Sequence, residues 1–194
     1  MKLNFRRVGI FLLIVALSIG FGFGFDAIAT AVEKHQYPIA PSLEQDVRAN
    51  AEEFGIPEHI LWGFIKVQSD FSSNRVAEDG SIGLMQLTPE EYSMINETIL
   101  KESAKDAALL YAPLPNLRSG TAYLSYLFHR YGVWETAFAA YEVGTKTVDA
   151  WLLDESLLGD TQILTTIPDE RAATFAKNVT RAADYYKRLY FENQ

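Results

Sequence analysis

From Ser42 to the C-terminus, apolar residues return every three or four positions and nowhere settle into alternation, which restricts this chain to helices packed on helices. Ile60, Leu61, Phe64, Ile65 and Gln68 fall on one face at 3.6-residue spacing, after Pro57 at a position suited to a helix start. Gln68 therefore continues an apolar stripe. Ser42 with Gln45 forms a capping-box pattern, Gly55 stops the helix that follows, and Thr88, Pro89 and Glu91 start another by the same logic. Further helices are predicted over 117–131, ended by Gly132, and over 134–141, 147–153 and 169–190. The stretch from Ser69 to Gly83 is rich in Ser, Asn, Asp and Gly, with a turn signal at Asp79-Gly80, and is expected to be a functional or connecting loop.

The N-terminus stands apart. Lys2, Arg6 and Arg7 precede an uncharged apolar run from Val8 to Phe25, about 27 Å long as a helix and marginally enough to cross a bilayer core. The positive side should stay in the cytoplasm and everything after the run outside, as a single-pass bacterial membrane protein. Ala27-Ile28-Ala29 also fits the small-x-small pattern before a signal-peptidase cut, so secretion after cleavage near Ala29 is the alternative. The expected organisation is a basic segment over 1–7, an anchor or signal peptide over 8–29, a spacer over 30–41 with Pro38 and Pro41, one domain over 42–190, and a tail over 191–194.

Setting aside the three basic residues of the leader, 14 Lys and Arg face 25 Asp and Glu, a net charge of −11. That excludes the basic footprint a nucleic acid requires. Cysteine is absent, so neither a disulfide nor a thiolate metal site exists. His35, His59 and His129 show no metal-ligand spacing, and no metal or cofactor is expected. Trp62 and Trp134 are expected in the core.

The run Ile65-Lys66-Val67-Gln68-Ser69-Asp70-Phe71, then Gly80, then Gly83-Leu84-Met85-Gln86-Leu87-Thr88-Pro89, resembles the signature of the lytic transglycosylase domain, the soluble-lytic-transglycosylase or goose-type lysozyme-like family. Asn116-Leu117-Arg118-Ser119-Gly120, Ala139-Ala140-Tyr141-Glu142-Val143-Gly144, Val148 with Trp151, and Ile167-Pro168-Asp169-Glu170-Arg171 resemble its later blocks in order and spacing. The resemblance implies a mainly α, lysozyme-like domain directed at peptidoglycan, where the family cleaves the β-1,4 bond between N-acetylmuramic acid and N-acetylglucosamine and leaves a 1,6-anhydro end. It implies a single catalytic carboxylic acid, which protonates the glycosidic oxygen and then removes a proton from the hydroxyl that closes the anhydro ring.

In the family that acid is a Glu before the Ser matching Ser69, and here the position is Gln68. An amide keeps the shape but has no proton to give, and acid–base catalysis contributes about 10²–10⁴-fold. A family Ser nine residues later is Ala77, and the Asn after the motif Tyr is Glu142. The resemblance further implies that Ser69, Met85, Gln86 and Tyr141 contact the saccharide. Three functions are consistent with this pattern: a glycan-binding protein with lost or much reduced cleavage, an active lytic transglycosylase using Glu142 in place of the lost Glu, or a protein-interaction scaffold at the cell envelope.

Overall fold

The computed structural model describes residues 26–103, 106–160 and 163–192. The apolar run over 8–25, and the anchor or signal role expected of it, lie outside the described residues. The described residues divide into two units, one up to Pro38 and one from Ile39 onward. In the first, residues 26–36 are helical, so the segment expected as a spacer over 30–41 begins as helix. Ala, Glu and Lys favour that, and Pro38 disfavours the helical conformation at Tyr37, where it ends.

The second unit carries seven α-helices among its described residues: α1 (Glu44–Phe54), α2 (Glu58–Ser69), α3 (Pro89–Met94), α4 (Pro113–Tyr131), α5 (Trp134–Val143), α6 (Thr145–Trp151) and α7 (Glu170–Tyr186). Single π turns extend α3 over Ile95–Ile99 and α7 over Lys187–Phe191. No strand forms among the described residues, only isolated antiparallel bridges.

The helix signals of the sequence hold in the main, with local differences that have local causes. The capping box at Thr88 and Glu91 forms, each side chain bonded to the other's backbone N–H. The one expected at Ser42 does not. A turn with Leu43 N–H donating to the Ala40 carbonyl puts Leu43 at the N-cap, so α1 begins beyond Ser42's reach. Helix α4 starts at Pro113, earlier than 117, because a first turn accepts proline without losing a hydrogen bond. Helix α6 occupies 145–151 instead of 147–153, since Gly144, at φ 82°, ends α5 and leaves Thr145 free to begin the next helix.

Helix α2 is the axis of the core. Ile60 through Ile65 are all buried, as expected of a helix enclosed on every side. It packs most extensively on α7, and the approach is so close that a Cβ at Gly63 would stand 2.5 Å from the Ala183 backbone nitrogen. Trp62 is fully buried, its ring against Tyr186 and its Nε1–H donating to Glu58 at 3.1 Å. Phe64 meets Phe138 and Tyr141 of α5 and Phe175 of α7, so one ring joins three helices. Burial of each such side chain contributes about 1.5–3 kcal/mol. Trp134 is half-buried and stacks on Phe128 at 4.0 Å.

Candidate active site cleft

Helix α2 ends abruptly where the stripe ends. After Ser69 both Asp70 (φ 50°) and Phe71 (φ 65°) are left-handed, a conformation that costs a non-glycine residue of order 1 kcal/mol or more. The reversal is held by the Lys66–Asp70 ion pair and by Phe71 packing edge-on against Trp62. It leaves Gln68 on the last turn, half-exposed, its carboxamide making no hydrogen bond to another described residue.

The chain then returns as a tight loop, with Ile82 bridged to both Val76 and Leu87. Side chains from three helices grip its backbone. Ser69 of α2 donates to the Leu84 carbonyl at 2.9 Å. Asn116 of α4, fully buried, accepts from the Met85 N–H at 2.8 Å and donates to the carbonyls of Ile82 and Leu110. Tyr141 of α5 donates its hydroxyl to the Met85 carbonyl at 2.9 Å. Gly83 sits at φ 84° against Asn116, where any Cβ would stand 2.6 Å from the Leu110 carbonyl oxygen, so only glycine fits. Gln86 is left-handed too, and its amide N–H groups donate to the carbonyls of Gly83 and Arg75.

The result is an open cleft of about 640 Å³ whose walls include Gln68 and Val67 of α2, the loop from Arg75 to Gln86, Thr88 and Glu91, Tyr141 and Glu142 of α5, and Arg171 and Phe175 of α7. Four of the residues called from the sequence thus share one cleft: Gln68, Gln86, Tyr141 and Glu142. Ala77 lines it as well. Ser69 and Met85 do not: both are buried in its wall. The Ser69 hydroxyl is spent on the loop backbone, and the Met85 side chain packs into the space that the missing Cβ of Gly120 leaves. They shape the site from within its wall.

Burial is the main cause of the electrostatics here. It pushes the Glu142 carboxyl up from its ordinary value, opposed by the Arg171 guanidinium at 3.1 Å and reinforced by Asp79, Asp169 and Glu91. The Tyr141 phenol is held well above the usual range, so it stays a neutral donor. Asp79 moves the opposite way, because hydrogen bonds from Ser81 hold its carboxylate charged. Arg75 makes no ion pair with another described residue. Among the described residues no group of three or more His, Asp or Glu is placed to hold a metal ion.

Asn116 and Arg171 were not singled out as site residues from the sequence. Asn116 carries a signal in retrospect: a lone amide on the buried face of a helix needs several backbone partners. Arg171 has no comparable signal, since its pairing with Glu142 depends on how α5 and α7 pack.

An all-helical domain with a cleft at the end of a buried central helix is the lysozyme-like fold of the lytic transglycosylases. The 70 kDa soluble lytic transglycosylase of Escherichia coli superposes with a TM-score of 0.72 at 21% identity, over 82% of this chain and 26% of that one. An inactive Glu-to-Gln mutant of the lytic transglycosylase Slt from Pseudomonas aeruginosa superposes with a TM-score of 0.67 at 27% identity, over 79% of this chain and 25% of that one. The chain belongs to the transglycosylase SLT domain family, which it matches over residues 45–163. It is also 30% identical over 164 residues to the membrane-bound lytic murein transglycosylase C of Actinobacillus pleuropneumoniae, across 74% of this chain. It spans 45% of that relative's length.

Proposed function

We propose that this protein holds peptidoglycan glycan strands, alternating MurNAc and GlcNAc, in the cleft and cleaves them slowly or not at all. The observation that carries this is Gln68: a neutral carboxamide, half-exposed in the cleft at the end of α2, with no hydrogen bond to another described residue. It has hydrogen-bonding capacity for a sugar and no proton to donate. The Pseudomonas relative, described as inactive with Gln in place of a Glu, supports the same chemistry. The murein transglycosylase name of the curated relatives supports the polymer, and their description as membrane-bound supports a single-pass anchor over 8–29, built on the apolar run from Val8 to Phe25, with the domain over 42–190 on the extracytoplasmic side.

One observation favours a second reading, an active enzyme with a relocated acid. Glu142 lines the same cleft, and burial raises its pKa in the direction a general acid needs. Arg171 works against it by stabilising the charged form.

Purified full-length protein incubated with sacculi separates the two. Wild type is expected to sediment with the sacculi and release few 1,6-anhydro fragments, and Gln68→Glu to release many more. Wild-type release equal to that of Gln68→Glu, and abolished by Glu142→Gln, would establish the relocated acid instead. A folded protein that stays in the supernatant would turn attention to a scaffold role.

A further inference from the structure

The cleft runs on past Glu142. A further depression of about 600 Å³ shares Glu142, Arg171 and Phe175 with it and adds Asp169, Glu170, Thr174 and Asn178 of α7 and its N-cap. Six carboxylates line the combined surface, those of Glu78, Asp79, Glu91, Glu142, Asp169 and Glu170, against two cations, Arg75 and Arg171. We infer that the cleft selects glycan strands from which N-acetyl groups have been removed, so that the ammonium groups of glucosamine units meet these carboxylates. The inference rests on the glycan-holding role proposed above and names the substrate class of that same site.

The carboxylates converge from separate elements. Burial pushes the Glu142 carboxyl up, Arg171 opposes it, and Asp79 of the loop, Asp169 at the cap of α7 and Glu91 of α3 push it up further, which sets all three within electrostatic reach of it. Each of the three is held by donors: Asp79 by Ser81, Glu91 by Thr88 and Asp169 by the Ala172 N–H. Such bonds favour the charged form and fix its position. Glu78 and Glu170 are exposed and make no ion pair with another described residue. Arg171 is committed to Glu142 at 3.1 Å, which leaves Arg75 as the cation lining the cleft without an ion pair to another described residue. Like charges around a concave surface focus their field and concentrate cations there.

An N-acetyl group is a neutral amide and gains nothing from that field. Removing the acetyl leaves a primary amine, which is protonated below about pH 7.7 and carries three donors for charge-assisted bonds to carboxylates. Gln68 lies in the same cleft and, being uncharged, hydrogen-bonds a sugar hydroxyl in either kind of strand. Polyanionic polymers are repelled by the same carboxylates. A diamino acid in a peptide stem carries an ammonium too, but on a branch leaving the strand, whereas the glucosamine amine sits on the strand that the cleft holds.

Calorimetric titration of the full-length protein with two β-1,4 hexamers, one of glucosamine and one of N-acetylglucosamine, tests this at about pH 6.5 and about 0.15 M salt, where charges more than roughly 8 Å away are largely screened. Wild type is expected to bind the glucosamine hexamer about tenfold more tightly. Glu78→Gln combined with Glu170→Gln should cut that preference to about threefold or less and leave affinity for the acetylated hexamer unchanged. Both positions are exposed, so the fold should persist. Glu155→Gln combined with Asp160→Asn, exposed and outside the cleft, should keep the preference in full. Equal binding of the two hexamers by wild type would overturn the selectivity and leave the glycan role standing. A preference lost equally in both double variants would overturn it too, as attraction to the overall negative charge. So would a gain seen only with an amine-bearing stem peptide. If wild type binds neither hexamer, the glycan role falls as well.

Discussion

The contact between α2 and α7, centred on Gly63 in the middle of α2, and the loop from Asp70 to Leu87, which follows that helix's C-terminal end, are built by opposite means. The helix pair is held by shape: a missing Cβ at Gly63 and rings at Trp62, Phe64 and Tyr186. The loop is held by hydrogen bonds from Ser69, Asn116 and Tyr141 to its backbone, and it contains three left-handed non-glycine residues, Asp70, Phe71 and Gln86. Packing gives the rigid post on which Gln68 stands. Directional bonds give the facing wall a conformation that packing alone does not specify.

If the loop depends on its polar clamp, the largest loss should come from Asn116→Ala. It removes three buried hydrogen bonds at once and strands the Met85 N–H, which should lower unfolding free energy by about 3 kcal/mol or more in urea titration. An Asn116→Ala protein with unchanged midpoint and unchanged sacculus binding would break the contrast. At the packed contact, Gly63→Ala drives a methyl group into the Ala183 backbone, with an expected cost of about 1–3 kcal/mol. Because the contact lies away from the cleft wall, saccharide affinity of the folded fraction should hold, and a selective loss of affinity would argue that post and wall are not separable.

Tyr141→Phe isolates a single bond of the clamp. Removing the hydroxyl leaves the rings in place and the Met85 carbonyl without that donor, for about 1 kcal/mol by thermal denaturation. Glu142 tests the cleft electrostatics. Its folded pKa lies above the unfolded one, so the folded state binds more protons across that window and stability contributed by this group falls as pH rises through it. Glu142→Gln should therefore gain melting temperature relative to wild type on going from acid to neutral pH, offset by loss of the exposed Arg171 pair. A difference that runs the other way would mean that the ion pair outweighs burial. The smallest effect is expected of Ser42→Ala, within about 0.5 kcal/mol, because Ser42 caps nothing, whereas Thr88→Ala should cost about 1 kcal/mol.

The helical class, the stripe through Gln68 and the breaks at Gly55 and Gly132 were legible because they depend on spacing and local backbone preference, which a chain carries in its order of residues. Resemblance to a family named Gln68, Gln86, Tyr141 and Glu142 together, whereas their lining of one cleft depends on how the helices pack. Ser69 and Met85, expected to contact the saccharide, are buried in the wall for a physical reason. Position in a motif does not tell whether a polar or flexible side chain turns toward the groove or into the wall, and here Leu84 and Gly120 claimed them.

The sequence by itself determined that helices would form and that an amide, Gln68, would end the apolar stripe of the central helix, since both are properties of neighbours along the chain. Only the tertiary structure decided that Asn116 clamps the loop and that Arg171 pairs with Glu142. Those contacts join residues 31 positions apart for Asn116 and Met85, and 29 apart for Glu142 and Arg171. Their geometry follows from how α4, α5 and α7 pack, which no local pattern encodes.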